Sequence, residues 1–281
     1  MLSEVQRLRK ASPYHVKREK LLKNYWRSFD LRTTRYTVES KKFGREIKFA
    51  LVADLHGREP SKVIEILKRE SPDYILMPGD IFENLDGSCD SRNSTATPVL
   101  AEAAKIAPVF YSTGNHEDGQ CGAWWKRWKK KREQVRRYSP ENMKLISDSG
   151  VTYLEDNYVI RDGIAFGGLS SGLINAGNEP NIKWISEFSA LDCPKVLLCH
   201  HPEYYEKYLN DESLDLIVSG HAHGGQWQIF GRGVFAPGQG LFPKYTHGVH
   251  DGRLVISRGL QSNFPVPRFF NPREVVIINV K

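Results

Sequence analysis

IKFALVADLH, residues 47–56, decides how the rest of the chain is read. Its first seven residues are apolar except for Lys48, the pattern of a strand buried on both faces. The run then stops on Asp54-Leu55-His56, which places two groups able to hold a metal just beyond the strand. A polar stop directly after a buried strand puts those groups on the rim of a sheet. In open α/β sheets that rim, at the carboxyl ends of the strands, is where ligands bind.

Working outward, the same arrangement recurs. Tyr74–Met77 reads as a second buried strand and ends on Gly79-Asp80. Val109–Ser112 reads as a third and ends on Gly114-Asn115-His116-Glu117. Helical patterns over Ser61–Arg69 and Thr97–Ala107 separate the three, a β-α-β-α-β order that favours a parallel sheet. In the second half, Lys195–Cys199 runs into His200-His201-Pro202, and Leu214–Val218 runs into Gly220-His221-Ala222-His223-Gly224-Gly225. Asp-Gly turns at Asp162-Gly163 and Asp251-Gly252 mark two hairpins. Regular structure is expected to begin at Ile47. Residues 1–46 then form a basic N-terminal extension, and 47–281 a single domain with a basic, Trp-rich insertion at about 121–138.

Taken singly, these blocks are ordinary. Gly-Asp is a turn, Asn-His is turn chemistry, and a His pair is a hydrogen-bonded core pair. Taken together, five strand ends deliver two carboxylates, four or five imidazoles and one amide oxygen to one rim. That set exceeds what one tetrahedral ion takes. Mixed nitrogen and oxygen donors suit Mn, Fe or Zn better than Ca or Mg. Two ions about 3.5–4 Å apart can share a carboxylate and act on a phosphate from both sides.

The blocks DxH, GD, GNHE, H and GHxH, in this order, resemble the calcineurin-like metallophosphoesterase superfamily from about Ile47 to the C-terminus. The stretches 220–226 (GHAHGGQ), 240–245 (GLFPKY), 255–260 (VISRGL) and 267–275 (PRFFNPREV) are similar to a bacterial, membrane-associated phosphodiesterase branch, some of whose members cleave a lipid-linked pyrophosphate. The resemblance implies a four-layer α/β/β/α sandwich of two mixed sheets. It implies that Asp54, His56 and His223 hold one divalent metal, that Asn115, His200 and His221 hold a second, and that Asp80 bridges them. His116 would be no ligand but a catalytic group that protonates the leaving oxygen or stabilises its charge. The reaction implied is phosphodiester or pyrophosphate hydrolysis by a hydroxide held between the two metals. Glu117, Asp118 and His201 are candidates for orienting the ligands; His247 and His250 read as structural or exposed; Arg268 would meet a phosphate or form a surface ion pair. One departure matters. The protein-phosphatase branch follows GD with valine and Asp-Arg-Gly, whereas here Ile81-Phe82-Glu83-Asn84 follows, so the arginine that grips a phosphomonoester is missing.

Charge is concentrated. The chain carries a net +7, yet residues 1–40 hold +6 and residues 126–137 another +7, so the remainder is acidic at −6. CGAWWKRWKKKREQVRRY (121–138) combines Trp124, Trp125 and Trp128 with eight cations and reads as an interfacial amphipathic helix on an anionic membrane. Nucleic acid is a second partner of the same chemistry, with Trp stacking on bases; a solvated helix packed on its own domain is the plain alternative. No stretch approaches 18 apolar residues, and the N-terminus lacks the apolar core of a secretory signal. The expectation is a cytoplasmic protein, peripheral at the membrane. Cys89, Cys121, Cys193 and Cys199 show no CxxC spacing and read as reduced thiols. The functions in play are a hydrolase of a lipid-linked phosphate, a soluble nucleotide phosphodiesterase or nuclease, and a non-enzymatic scaffold, the last disfavoured by a complete ligand set. No protein partner is implied.

Overall fold

The computed structural model describes residues 31–57, 61–83, 85, 90–118, 138–172, 179–261 and 268–281. Along the chain run β1 (Leu31–Val38), β2 (Ile47–Leu51), α1 (Ser61–Glu70), β3 (Tyr74–Met77), α2 (Asp90–Ala104), β4 (Val109–Tyr111), α3 (Pro140–Asp148), β5 (Thr152–Tyr153), β6 (Asn157–Arg161) and β7 (Ile164–Leu169). They are followed by α4 (Ile185–Ser189), β8 (Lys195–Cys199), β9 (Leu216–Ser219), the short strands β10 (Gln228–Ile229), β11 (Arg232–Gly233), β12 (Phe235–Ala236) and β13 (Gly240–Leu241), then β14 (Gly248–His250), β15 (Leu254–Ile256) and β16 (Arg273–Val280).

Two six-stranded mixed sheets result. One has the order β1-β16-β2-β3-β4-β5, the other β14-β15-β9-β8-β7-β6. In the first, β2 through β5 are parallel and β16 enters antiparallel to β2. In the second, β7, β8, β9 and β15 are parallel, flanked by the antiparallel β6 and β14.

The period-two alternation of strand side chains builds the layers. In β2, Phe49 and Leu51 face the second sheet, with Val196, Leu198, Val218 and Val255 in the same core. Ala50 and Val52 face the opposite way, toward Val63 and Leu67 of α1 and Val99, Leu100 and Ala103 of α2. The second sheet repeats this: Leu197, Ile217 and Ile256 pack with Ile185 and Phe188 of α4 and with Tyr205 and Leu209. The architecture is therefore the four-layer α/β/β/α sandwich expected from the sequence. Phe110 and Phe166 stack at 3.7 Å between ring centroids in the layer between the sheets, both with no exposure.

Three readings of the sequence need correction. The folded unit does not begin at Ile47. β1 pairs in parallel with β16 over eight residues, so a boundary at 46/47 falls inside a sheet. LRTTRYTV carries little local signal, because an edge strand needs only one apolar face and its partner lies some 240 residues away. α2 runs over Asp90–Ala104, not Thr97–Ala107, and Pro98 lies inside it. Finally, β9 is shifted to Leu216–Ser219. The helix expected at 121–138, with Trp124, Trp125 and Trp128, lies outside the described residues apart from Tyr138. Cys193 and Cys199 are free thiols.

Candidate functional site

The loops leaving β2, β3, β4, β8 and β9 meet at one edge of the sandwich and are tied together by their own backbones. Asp54 N–H donates to Gly79 O (3.2 Å), His56 N–H to Asp80 O (2.9 Å) and Gly220 N–H to His200 O (3.2 Å). Asp54, His56, Asp80, His221 and His223 all lie at positive φ, between 47° and 66°. That region is uncommon for residues other than glycine, although Asp and His enter it more readily than most. Five strained residues in one cluster mark a site whose geometry the surrounding fold imposes. Gly259, at φ +70°, lies so close that a Cβ there would collide with the Asp54 carboxylate.

All seven residues expected as ligands converge. Donor atoms of Asp54, His56 and His223 lie within 4.8 Å of one another, and so do those of Asp80, His200 and His221. Asp80 stands between the sets: its Oδ2 is 3.9 Å from His56 Nε2 and 3.2 Å from His200 Nε2. Asn115 Oδ1 is 3.2 Å from His200 Nε2. Asp54, Asp80, His56 and His200 are buried almost completely.

The donor set fits two cations. Asp54 Oδ2 is fully buried without a hydrogen-bond donor, and Asp80 Oδ2, equally buried, faces the imidazole nitrogens of His200 and His56, a costly arrangement for two carboxylates unless a cation is to be bound there. The electrostatics agree. Burial opposes a charge on His200, but the charge and hydrogen bond of Asp80, then Asp54, outweigh it and raise its pKa to about 10. The two carboxylates thus create a field that favours a positive charge at this position. His221 and His223 are held well below the usual imidazole range, by burial first and then by their cationic neighbours, so they are neutral and ready as ligands.

His116 sits beside this cluster, its ring 4.5 Å from that of His56. Its backbone N–H donates to Asp80 Oδ1 and its Nδ1 lies 2.9 Å from Glu83 Oε2. Burial lowers its pKa, but Asp80 and Glu83 prevail and raise it to about 9. Glu83 itself is buried and also faces His56 Nδ1 at 3.5 Å. Burial pushes its carboxyl up; the hydrogen bonds from His116 and His56 override that and hold it well below the usual carboxylate range.

Glu117 does its work through the backbone. Its carboxylate accepts from the amides of Asp80, Ile81, Phe82 and Gly114 and from the Tyr111 hydroxyl, clamping the β3 and β4 loops together. Burial and the Asp80 charge push it up to about 8, against the pull of those amides. His201 hydrogen-bonds Ser171 through Nε2 and Glu203 through Nδ1, and Glu203 reaches to 3.8 Å from His221 Nε2. Asp118 accepts from the Tyr138 hydroxyl, so what it orients is that tyrosine. His247 bonds with Gln228 and Thr246, and His250 with the His247 carbonyl. Arg268 forms no surface ion pair of the kind the sequence allowed. It is buried, donates to His223 Nδ1 at 3.2 Å, and caps the carbonyls of Gly259 and Gln261.

Glu83, Glu203 and Asn271 are site residues beyond those expected from the sequence; the Asn271 amide donates to the His223 carbonyl at 2.6 Å. Glu83 had a signal: it lies three residues after Asp80, in the stretch where the arginine of the protein-phosphatase branch is missing.

The family model for calcineurin-like phosphoesterases matches residues 47–225, the span that carries all five loops. The chain belongs to the calcineurin-like phosphoesterase family. An uncharacterized metallophosphoesterase of Campylobacter jejuni is 27% identical over 256 residues, covering 87% of this chain and 62% of that protein. One from Aquifex aeolicus is 26% identical over 272 residues, covering 90% and 93%. Phosphodiesterase YaeI of Escherichia coli is 27% identical over 197 residues, covering 65% of this chain and 62% of its own length. The chain thus spans less than two thirds of the Campylobacter and Escherichia relatives. Among the described residues, no helix of this calcineurin-like phosphoesterase is long and apolar enough to cross a membrane.

Proposed function

We propose that this chain is a metal-dependent phosphodiesterase or pyrophosphatase that acts on a lipid-linked phosphate at a membrane surface. The observation that carries the hydrolase reading is the pair of buried carboxylates, Asp54 and Asp80, inside a ring of histidines, with Asp54 Oδ2 lacking any donor and Asp80 Oδ2 facing both ligand sets. Asp54, His56 and His223 would hold one divalent cation and Asn115, His200 and His221 the other, with Asp80 shared. Mn, Fe and Zn match these donors best. When bound, the cations supply Lewis-acid activation of water and charge neutralisation at the phosphoryl oxygens.

The protein's own groups supply orientation and a proton. Asp80 Oδ1 accepts the His116 backbone amide, so the residue that organises both ligand sets also positions the proton donor. Glu83 engages His116 Nδ1 and leaves Nε2 as the atom to face the leaving oxygen. A charged imidazole in that position transfers its proton as the ester bond breaks, help typically worth about 10²–10⁴-fold. Arg268 donates to His223 Nδ1 and Pro78 O lies 2.9 Å from His200 Nδ1, contacts that fix both rings.

The lipid-linked part of the reading is supported by the basic, Trp-bearing segment at 121–138 and by the missing phosphomonoester arginine after Gly79-Asp80. The test is a screen of the metal-loaded protein against bis-p-nitrophenyl phosphate, nucleotides and lipid pyrophosphates in bilayers. Chelator-sensitive hydrolysis with the lipid pyrophosphate preferred is the expected result. Hydrolysis with no metal added after exhaustive chelation would refute the metal-dependent reading, and preference for nucleotides the lipid one. The triple variant W124A/W125A/W128A is expected to lose activity on the lipid substrate and keep its activity on the small diester.

A further inference from the structure

Six of the nine large apolar side chains that stand exposed among the described residues belong to one region of the fold: Ile229, Phe230, Leu241, Phe242, Phe269 and Phe270. They lie on three strips of backbone that hydrogen-bond to each other. Gln228 N–H donates to Phe269 O (3.0 Å), Val234 N–H to Trp227 O (2.9 Å) and Phe242 N–H to Val234 O (2.9 Å). The strips are anchored at the candidate metal centre. The first follows directly from His223, and Arg268, next to Phe269, donates to the His223 ring.

Two features show that the outermost of these side chains do not serve the fold. Phe230 is fully exposed, and Leu241 and Phe242 are exposed at 72% and 74%, so little of their surface is buried in the free chain. Phe230, Phe242 and Phe270 also lie at φ of 50° to 53°, a conformation that glycine or asparagine adopts at lower cost. Backbone strain that holds an aromatic ring out in water points to an occupant outside the chain.

Charge and shape identify it. From His221 to His250 the chain carries Arg232 and Lys244 and not one Asp or Glu, although the chain outside its two basic segments is net acidic. Arg232 is exposed at the hairpin, and Lys244 is exposed and 3.4 Å from Glu206. Protruding apolar tips on a stretch that carries cations and no carboxylate of its own fit an anionic bilayer, where aromatic side chains enter the boundary between headgroups and acyl chains and cations attract the surface. A tip so little buried against its own fold suits a fluid phase, which needs no shaped pocket.

We infer that the β10–β11 hairpin, the β12–β13 hairpin and Phe269–Phe270 form an apolar rim that inserts into an anionic bilayer and seats the metal centre at the headgroup level. The inference rests on the membrane part of the proposed function but assigns docking to a different part of the chain from residues 121–138.

The test is co-sedimentation of the full chain with vesicles of phosphatidylcholine containing phosphatidylglycerol, which needs no hydrolysis and so does not depend on the enzymatic reading. Phe230→Ser and Phe242→Ser are each expected to weaken binding about tenfold, and the double variant about a hundredfold. Phe230→Leu, which keeps the apolar tip, should stay within about threefold. Unfolding temperature and metal content should not change, because these side chains support nothing in the fold. If the wild type sediments with vesicles and the double variant does so equally, the rim is not the docking surface and the segment at 121–138 carries the membrane reading alone. If the wild type binds neither neutral nor anionic vesicles, both fall. A wild-type dimer in light scattering that Phe230→Ser dissociates would identify a second copy of the chain as the occupant and overturn the bilayer.

Discussion

Replacing Glu83 by glutamine is the perturbation that probes the site most directly, because Glu83 touches His116, the proposed proton donor, and a candidate ligand at once. Its two oxygens lie 2.9 Å from His116 Nδ1 and 3.5 Å from His56 Nδ1, with no exposure to solvent. Glutamine keeps the shape but removes the charge and presents an amide N–H₂ at one end. One of the two imidazoles then meets a donor where it had an acceptor. A hydrogen bond to a charged group is worth about 1.5–3 kcal/mol, and each 1.4 kcal/mol is tenfold in rate. The expected loss is therefore about 10- to 100-fold in kcat at saturating metal, with KM little changed. The assay is hydrolysis of aryl phosphodiesters of graded leaving-group pKa, with metal content measured on the same samples. Because Glu83 is argued to act through His116, the double variant E83Q/H116A should be little slower than H116A alone. Full kcat in E83Q, or losses that multiply in the double variant, would refute the reasoning.

Other outcomes follow from the same geometry. Asp80→Ala should lose both cations, since Asp80 Oδ2 faces both ligand sets; full occupancy by elemental analysis would contradict a shared bridge. His116→Ala should keep its metals and slow hydrolysis by about 10²-fold or more, with a smaller loss for good leaving groups that need less protonation; an equal loss across leaving groups would exclude the proton-donor role. Phe110→Ala should destabilise the fold by about 3–5 kcal/mol, because the ring is fully buried and stacked on Phe166 between the sheets. Denaturant titration reads that value, and a change under about 1 kcal/mol would mean that the two sheets close over the gap.

Much of the fold was legible because the central strands are local signals. IKFALVA, YILM and KVLLC are apolar on both faces, and each is followed within three residues by the groups that face the site. The two Asp-Gly hairpins were legible for the same reason. The strands that were missed are those whose evidence is not local. β1 is a half-polar edge strand that makes sense only against β16, at the other end of the chain. The first turns of α2, Asp90 to Ala96, carry few apolar residues and so no helical stripe, and Pro98 is tolerated inside the packed helix.

For the candidate site, the sequence by itself determined which chemistry was present: two carboxylates, an amide and the histidines, each at a strand end and in an order shared with one family. That was possible because ligand type and strand-end position are both written into short stretches of chain. What only the tertiary structure decided is who orients whom. Glu83 turned out to hold His116 and His56, Glu117 to clamp two loops by their amides, and Arg268 to lie buried against His223 with its charge inside the protein. These contacts join segments from a few to tens of residues apart, through side chains whose direction depends on loop backbones held at positive φ. No periodicity or motif encodes that direction. It appears only when two sheets pack and bring five loops to one edge.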